Sequence, residues 1–441
     1  MIDLALLRTK EGLAKVADSE KKRGNSLDRV NKVADMIEER IKGRYEMEQL
    51  NKEFNQTTKE ASVFFKSKEQ SARKDELVAK INEIRTKRSD CVARLASMEK
   101  ETDDIAREIG NLLEPSVAVG MDEEYNPVIF TREYIKKDFL PTQLLSFDKI
   151  LEKLGAVDTE RGTKISGHRG YFLKNAGVLL AQALVRYGMD FLRRQQYDLI
   201  QTPYIMSREA MSKTAQLSDF DDQLYKVEGA ATESYLIATS EQPISALHSD
   251  EWFRGCDLPI RYAGYSTCFR KEAGAHGKDN RGIFRVHQFE KIEQFILAAP
   301  ERSMEEFQGM VERSKEFYDS LGFGYRVVSI VSGALNNAAA IKYDLEAYFP
   351  ESGRYRELVS CSNCTDYQSR DLNIRYNMFD QNTATKEFVH LLNGTLCAVQ
   401  RTLCCLVENY QTEEGVVVPK VLVPYVGEEF LPYVGTKDAK V

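Results

Sequence analysis

Proline is missing from the first 114 residues; the first is Pro115. Between Gly43 and Gly110 there is neither glycine nor proline, so nothing punctuates that stretch. The chain also lacks any apolar run near the ~18 residues of a membrane helix. Its start, MIDLALLRTKEG, carries Asp3 and Glu11 and no long apolar core, which argues against a secretory leader. A cytoplasmic protein without membrane partners is expected. Its eight cysteines are then reduced thiols rather than a disulfide framework. No GxGxxG or Walker A sequence occurs, which disfavours Rossmann and P-loop nucleotide sites. The five histidines, His168, His248, His276, His287 and His390, form no HxxxH or HExxH pattern, so each is read as structural or solvated.

What is present is 441 residues, 42% hydrophobic and 29% charged, enough for two or three domains with a sizeable core. The net charge of −7 taken alone argues against a nucleic-acid partner. The charge is uneven: residues 1–110 hold 24 Lys and Arg against 22 Asp and Glu, a balance of +2, which leaves −9 for the remainder. The first part is therefore the expected docking place for a polyanion.

That first part carries a heptad seam: Leu77, Ile81, Ile84, Arg88, Cys91, Leu95, Met98, Thr102, Ile105 and Ile109. A second stripe lies upstream at Val30, Val33, Ile37, Ile41, Met47, Leu50 and Phe54, and a polar stretch from Asn55–Gln56–Thr57–Thr58 onward separates the two. The pattern fits an antiparallel helical hairpin or a coil between two copies of the chain; the hairpin is preferred. Glu114–Thr142, with Pro115, Gly120, Pro127 and Pro141, reads as linker and irregular structure. Beyond it, strand-like runs alternate with helical patterns, giving an α+β body of about 300 residues.

Three segments of that body carry chemistry. In YAGYSTCFRKEAGAHGKDNRGIFRVHQFEKIEQ, Tyr262 to Gln294, two strand-like runs flank a glycine-rich loop, AGAHGKDNRG, read as a mobile tip. Arg270 and Glu272 share parity on the first run; Phe289, Lys291 and Glu293 share a face on the second. An Arg, carboxylates and an aromatic ring on one sheet surface suit a ligand with phosphate, base and amine. An ordinary salt-bridged surface is the competing explanation. In ELVSCSNCTD, Glu357–Asp366, Glu357 and Ser360 offer hard oxygen ligands for Mg²⁺. Cys361 and Cys364 invite a zinc reading, but structural zinc wants four ligands, and buried thiols are preferred. In FVHLLNGTLCAVQRTLCCLVENYQ, Phe388–Gln411, a strand reaches Asn393–Gly394 and a helix follows, with a buried stripe at Leu396, Val399, Leu403, Leu406 and Val407. Arg401 inside that helix is either a second phosphate clamp or a core arginine with a local acid.

At these segments the sequence resembles the class II aminoacyl-tRNA synthetases, and among them the seryl-tRNA synthetases of the eukaryotic cytosolic kind. NAGVLLAQALVRYGMDFLRRQQYDLIQTPYI resembles the first class motif, the dimer element at about 175–205. CFRKEAG with RGIFRVHQFEKIE resembles the second, at about 262–294. GTLCAVQRTLCCLVENYQ resembles the third, at about 388–411, and TSEQ at 239–242 resembles the serine loop. The resemblance implies a coiled-coil tRNA-binding arm at 1–113 and an antiparallel-sheet catalytic domain at 114–441. It implies ATP-dependent activation of L-serine, then transfer of the seryl group to tRNA(Ser), and to tRNA(Sec) where that exists.

Residue by residue, it assigns Arg270 to the ATP α-phosphate and the serine carboxylate, and Glu272 to the adenine amino group. Val286 borders the base, Phe289 stacks on it, and Lys271 belongs to the same ATP-binding run. Glu293 takes the serine ammonium, and Thr239, Ser240, Glu241 and Thr395 surround the serine. Glu357 and Ser360 hold Mg²⁺, the Leu358–Val359 backbone lines the ATP pocket, and Arg401 grips the γ-phosphate. A homodimer with Mg²⁺ and ATP, and no zinc, is expected. Near the hairpin tip, Lys66, Lys68, Arg73 and Lys74 are candidates for tRNA contact. A non-catalytic paralogue and an enzyme for another small amino acid are the alternatives.

Overall fold

The computed structural model describes residues 1–65, 72–215, 219–272, 281–376 and 387–434. The chain divides into two compact units, Met1–Leu112 and Leu113–Val441.

The first unit is helical: α1 (Lys10–Lys22), α2 (Asp28–Phe65) and α3 (Ala72–Ala106). Thr9 caps α1 by accepting the Gly12 N–H. α2 and α3 pack along each other within the one chain, with Val30, Val33, Ile37, Leu77, Ile84 and Cys91 buried between them. Two expectations fail here. Ile41 is exposed (51%), and Gly43 takes the seam position instead. A Cβ on Gly43 would lie 2.8 Å from Leu95 Cδ2, so a hydrogen is what lets Leu95 reach the partner helix. Asn55–Thr58 is not a break but part of α2, where Thr57 is buried. Lys66 and Lys68 lie outside the described residues. Arg73 pairs with Glu76 at 3.2 Å.

At the other end of the hairpin sits a buried polar knot. Glu20 accepts the Gly110 N–H at 3.0 Å, while Arg23 and Ser19 donate to the Asn111 carbonyl. It binds α1 to the chain leaving α3.

The second unit is built on an eight-stranded sheet. Its strands are β1 (Val128–Arg132), β2 (Asp198–Gln201), β3 (Ile260–Phe269), β4 (Gln288–Ala298), β5 (Tyr325–Ser329), β6 (Ile341–Phe349), β7 (Arg354–Asn363) and β8 (His390–Ala398). Their spatial order is β1-β5-β6-β7-β8-β4-β3-β2, antiparallel throughout except for the parallel β2–β3 edge. β1 lies inside the stretch expected to be irregular. Strand β8 runs past Gly394 to Ala398, so Leu396 and Cys397 belong to the strand rather than to the following helix.

Three helices cover one face of the sheet: α4 (Ala176–Arg194), α6 (Ser303–Ser320) and α8 (Val399–Asn409). Period-two alternation sorts β4: Ile292 and Ile296 join the core under the helices, and Gln294 donates to Met310 O and Ser314 Oγ. Lys291 and Glu293 point to the other face. The core includes Tyr318, Phe317, Phe307, Leu184 and Leu403, all fully buried.

α4 approaches the sheet closely at Gly188, where a Cβ would lie 2.7 Å from Ile292 Cδ1. Gly188→Val should therefore cost ~1–3 kcal/mol, read as a lowered midpoint in denaturant unfolding. An unchanged midpoint would mean that the helix can retreat freely.

Candidate active site

The open face of the sheet holds a cavity of roughly 300 Å³. Its walls come from β4, β6, β7 and β8, the end of β3, and the starts of α8 and of α5 (Glu241–Ala246). Arg270, Arg285, Lys291, Lys342 and Arg401 face Glu241, Glu272, Glu293 and Glu357 across it. Such a mixed lining suits a ligand bearing both charges.

Two β-bulges shape this wall. On β7, Glu346 pairs with Glu357 and Leu345 with Val359, which leaves Leu358 unpaired. Residues three apart on a regular strand face opposite ways. The extra residue brings Glu357 and Ser360 to the same side. On β8 the register skips Leu396 in the same way, so Asn393, Thr395 and Ala398 all reach the cavity.

Three clusters divide the interior. At one end Glu293 is paired with Lys291, both buried, and accepts the Thr239 hydroxyl at 3.2 Å. Glu241 accepts from Asn393 Nδ2 at 3.0 Å and Gln368 Nε2 at 3.3 Å. Its carboxyl is pushed up to about 7, by burial first and by the Glu293 charge second.

In the middle, the Arg270 guanidinium lies over the Phe289 ring at 5.1 Å and donates to Ala238 O at 3.2 Å. His287 fixes this arginine's backbone: its Nδ1 donates to Arg270 O, and its own carbonyl accepts the Arg270 N–H, each at 2.9 Å. Arg401 lies over Phe284 at 5.1 Å and reaches Glu357 Oε2 at 3.3 Å. Its helix is tied to β4 through Gln400, which accepts the Glu290 N–H at 2.8 Å. Burial alone would raise the Glu357 carboxyl, but Arg401, Lys342 and Arg270 outweigh it and hold it below the usual range.

At the outer side Glu272 sits between Arg285 (3.2 Å) and Arg169 (3.7 Å).

Of the expected site residues, Thr239, Glu241, Arg270, Glu272, Val286, Phe289, Glu293, Glu357, Leu358, Ser360, Thr395 and Arg401 line this one cavity. Three do not. Ser240 is fully buried behind it, Val359 faces the core, and Lys271 is held by its N–H on Gln223 O. The parity argument for Arg270 and Glu272 also fails, because β3 ends at Phe269 and Glu272 has left-handed backbone (φ +52°). The glycine-rich tip around His276 lies outside the described residues, 273–280.

Lys342, Arg285, Gln400 and Asn393 were not expected. Lys342 was visible in principle: Lys342, Asp344 and Glu346 alternate with apolar or aromatic residues on β6, which marks one charged face. Cys361 and Cys364 are buried and reduced, and burial pushes the Cys361 thiol up to about 12. Among the described residues no three His, Cys, Asp or Glu side chains cluster to hold a metal.

Known proteins agree with this architecture. Residues 225–410 match the family model described as tRNA synthetase class II core domain (G, H, P, S and T). Residues 1–113 match the seryl-tRNA synthetase N-terminal domain. The cytoplasmic serine–tRNA ligase of Schizosaccharomyces pombe is 48% identical, over 98% of this chain and 97% of its own. The crystal structure of the Naegleria fowleri cytoplasmic serine–tRNA ligase with AMP superposes with a TM-score of 0.84 at 43% identity, covering 98% of this chain and 99% of its own. The Pyrococcus horikoshii seryl-tRNA synthetase with ATP gives 0.89 at 36% identity, covering 98% and 100%. Sheet, cavity and core match thus define a class II aminoacyl-tRNA synthetase. Within that class, the chain belongs to the seryl-tRNA synthetase family.

The buried Lys291–Glu293 pair makes a stability prediction. Glu293→Leu leaves a lysine buried without its counter-charge and should cost ~3–5 kcal/mol. Adding Lys291→Met should restore much of that in a denaturation double-mutant cycle. Additive losses would show that the two charges do not depend on each other.

Proposed function

We propose that this chain activates L-serine with ATP to seryl-adenylate and passes the seryl group to the 3′ end of tRNA(Ser), in the cytoplasm, as a serine–tRNA ligase. The observation that carries the reading is that Arg270, Arg401 and Glu293, from three separate elements, line a single cavity. Relatives named cytoplasmic serine–tRNA ligase match along nearly the whole chain. tRNA(Sec) is a second acceptor where it occurs.

The chemistry follows from the substrate. A carboxylate is already a nucleophile, so activation calls for charge neutralisation and in-line placement at the α-phosphate rather than a general base. Arg270 holds the serine carboxylate against the α-phosphate, with Phe289 stacked on the adenine. Glu272 and the Val286 backbone read the base edge, and Arg401 takes the γ-phosphate. Glu293 anchors the serine ammonium while Thr239, Glu241 and Thr395 enclose the hydroxyl and the amine. Alanine is refused because polar groups in the pocket lose their partner without that hydroxyl.

Glu357 and Ser360, brought to one side by the β7 bulge, are hard oxygen donors and fit Mg²⁺. When bound, that cation supplies further neutralisation of phosphate charge. The cofactor set is Mg²⁺ with ATP and no zinc.

The arm, 1–113, binds tRNA through shape and phosphates; supporting this are its match to the family's N-terminal domain and its slight excess of basic residues. Residues 114–441 form the catalytic domain. A homodimer through α4 and β2 is the assembly. What supports it is apolar exposure at Val178, Leu179 and Leu199 (42–47%) and the outer edge of β2 at the sheet margin. No described helix is long and apolar enough to cross a membrane.

Serine-dependent ATP–pyrophosphate exchange tests the reading; absence of exchange, or equal exchange with alanine or threonine, defeats it. Arg401→Ala should lower exchange by ~10²–10³-fold while leaving tRNA binding intact. Removing 1–113 should spare exchange and abolish tRNA charging. Efficient charging by the truncated enzyme would overturn the arm's assignment.

A further inference from the structure

The inner end of the cavity holds two carboxylates and one lysine ammonium. Lys291 is paired with Glu293 on β4. Glu241 is the second carboxylate. Facing it are Glu293 and Lys291 from β4, Arg270 beyond β3, the Gln368 amide from α7 (Tyr367–Leu372), and the Asn393 amide from β8. Thr239 joins the two acids: its hydroxyl donates to Glu293 and accepts the Glu241 N–H, each at 3.2 Å. Arg270 is directed elsewhere, to Ala238 O and the Phe289 ring. With both carboxylates ionised, Lys291 neutralises only one of them. Two neighbouring acids in a desolvated site relieve their repulsion by keeping a proton between them. What the cluster lacks is one more positive charge, and an amino acid's ammonium is that charge.

We propose that the ammonium of the bound amino acid replaces a proton held on Glu241, so that amino-acid binding is coupled to proton release from this residue. The inference rests on the serine reading above and deepens it. The step balances without redox change. The Glu241 carboxylic acid loses H⁺ to solvent, and the resulting carboxylate is neutralised by the incoming R–NH₃⁺, which keeps all its protons. Burial and the Glu293 charge, which push Glu241 up to about 7, place the window near neutrality. Below about pH 7 the free site carries the proton and binding must expel it, so affinity falls as pH falls. Above that point the dependence disappears.

The full-length protein is titrated with L-serine by calorimetry between about pH 6 and pH 8, in phosphate and in Tris, whose protonation heats differ. Release approaching one proton per serine is expected near pH 6, fading by pH 8. The serine Kd should weaken up to ~10-fold from pH 7 to pH 6. Glu241→Gln should abolish both the buffer dependence and the pH slope. In the unmutated protein, infrared difference spectra should lose a protonated-carboxyl band when serine is added, a readout that does not depend on the variant folding. Buffer-independent heats with serine bound, or proton release that persists in Glu241→Gln, would overturn the proposal. If serine gives no binding while another amino acid does, the serine reading fails, and the same titration with that amino acid still decides the proton coupling.

Discussion

Charged groups that must meet one small ligand cannot simply be lined up on a strand, because alternate residues face away and each buried charge needs a partner. The sheet meets this constraint by drawing partners from different strands and by breaking register where spacing requires it. Glu357 on β7 is answered by Arg401 on α8, and Glu272 beyond β3 by Arg285 and Arg169. The unpaired Leu358 and Leu396 keep Ser360 and Ala398 on the cavity side. Their side chains stay in the core, so each bulge re-aims polar groups without opening a hole beneath them.

The same division explains how a cavity this polar stands on a stable body. Every second residue of β4 belongs to the helix-covered face, where Ile292, Gln294 and Ile296 are fully buried. At the alternate positions, Lys291 and Glu293 meet the ligand side. A shift of one residue in this strand would exchange the two sets and bury the ion pair under α4 and α6. Gly188, Gln294 and Ser314 are therefore site residues in an indirect sense: they hold the register that aims Glu293.

Much of this was legible in the residues. The coiled arm declared itself by period, and the pair of runs around Tyr262–Gln294 by alternation. The shared face of Phe289, Lys291 and Glu293 held because β4 is regular against β3 over its length. Where period-two reasoning failed, local backbone was the cause. Arg270 and Glu272 lie past the end of β3, with Glu272 left-handed, so counting residues could not tell which way they point. For Glu357 and Ser360 a spacing of three argues against a shared face, and only a bulge, which has no residue signature here, reconciles them. Ile41 misled because it keeps a plausible heptad position, whereas Gly43, which looks like a weak point in a helix, is what the close approach of Leu95 demands. Lys342 is hard to single out by apolar runs, because what marks it is the alternation of Lys342, Asp344 and Glu346 with the residues between them.

A net charge of −7 opposes polyanionic substrates at long range. What matters at the site is local. Five cationic side chains line the cavity against four carboxylates, in a space whose low polarizability strengthens every contact. Several of these cations are already engaged, Arg401 by Glu357 and Lys291 by Glu293. In the proposed reading, phosphate and ammonium groups do not fill vacancies but exchange partners with resident ions. The free energy of binding is then a difference between two sets of ion pairs, smaller than either set. Such a site keeps much of its order when empty, because Arg401, Lys291 and Arg285 already hold carboxylates. It also discriminates sharply, because a ligand that lacks one charged group breaks a resident pair and offers nothing in return.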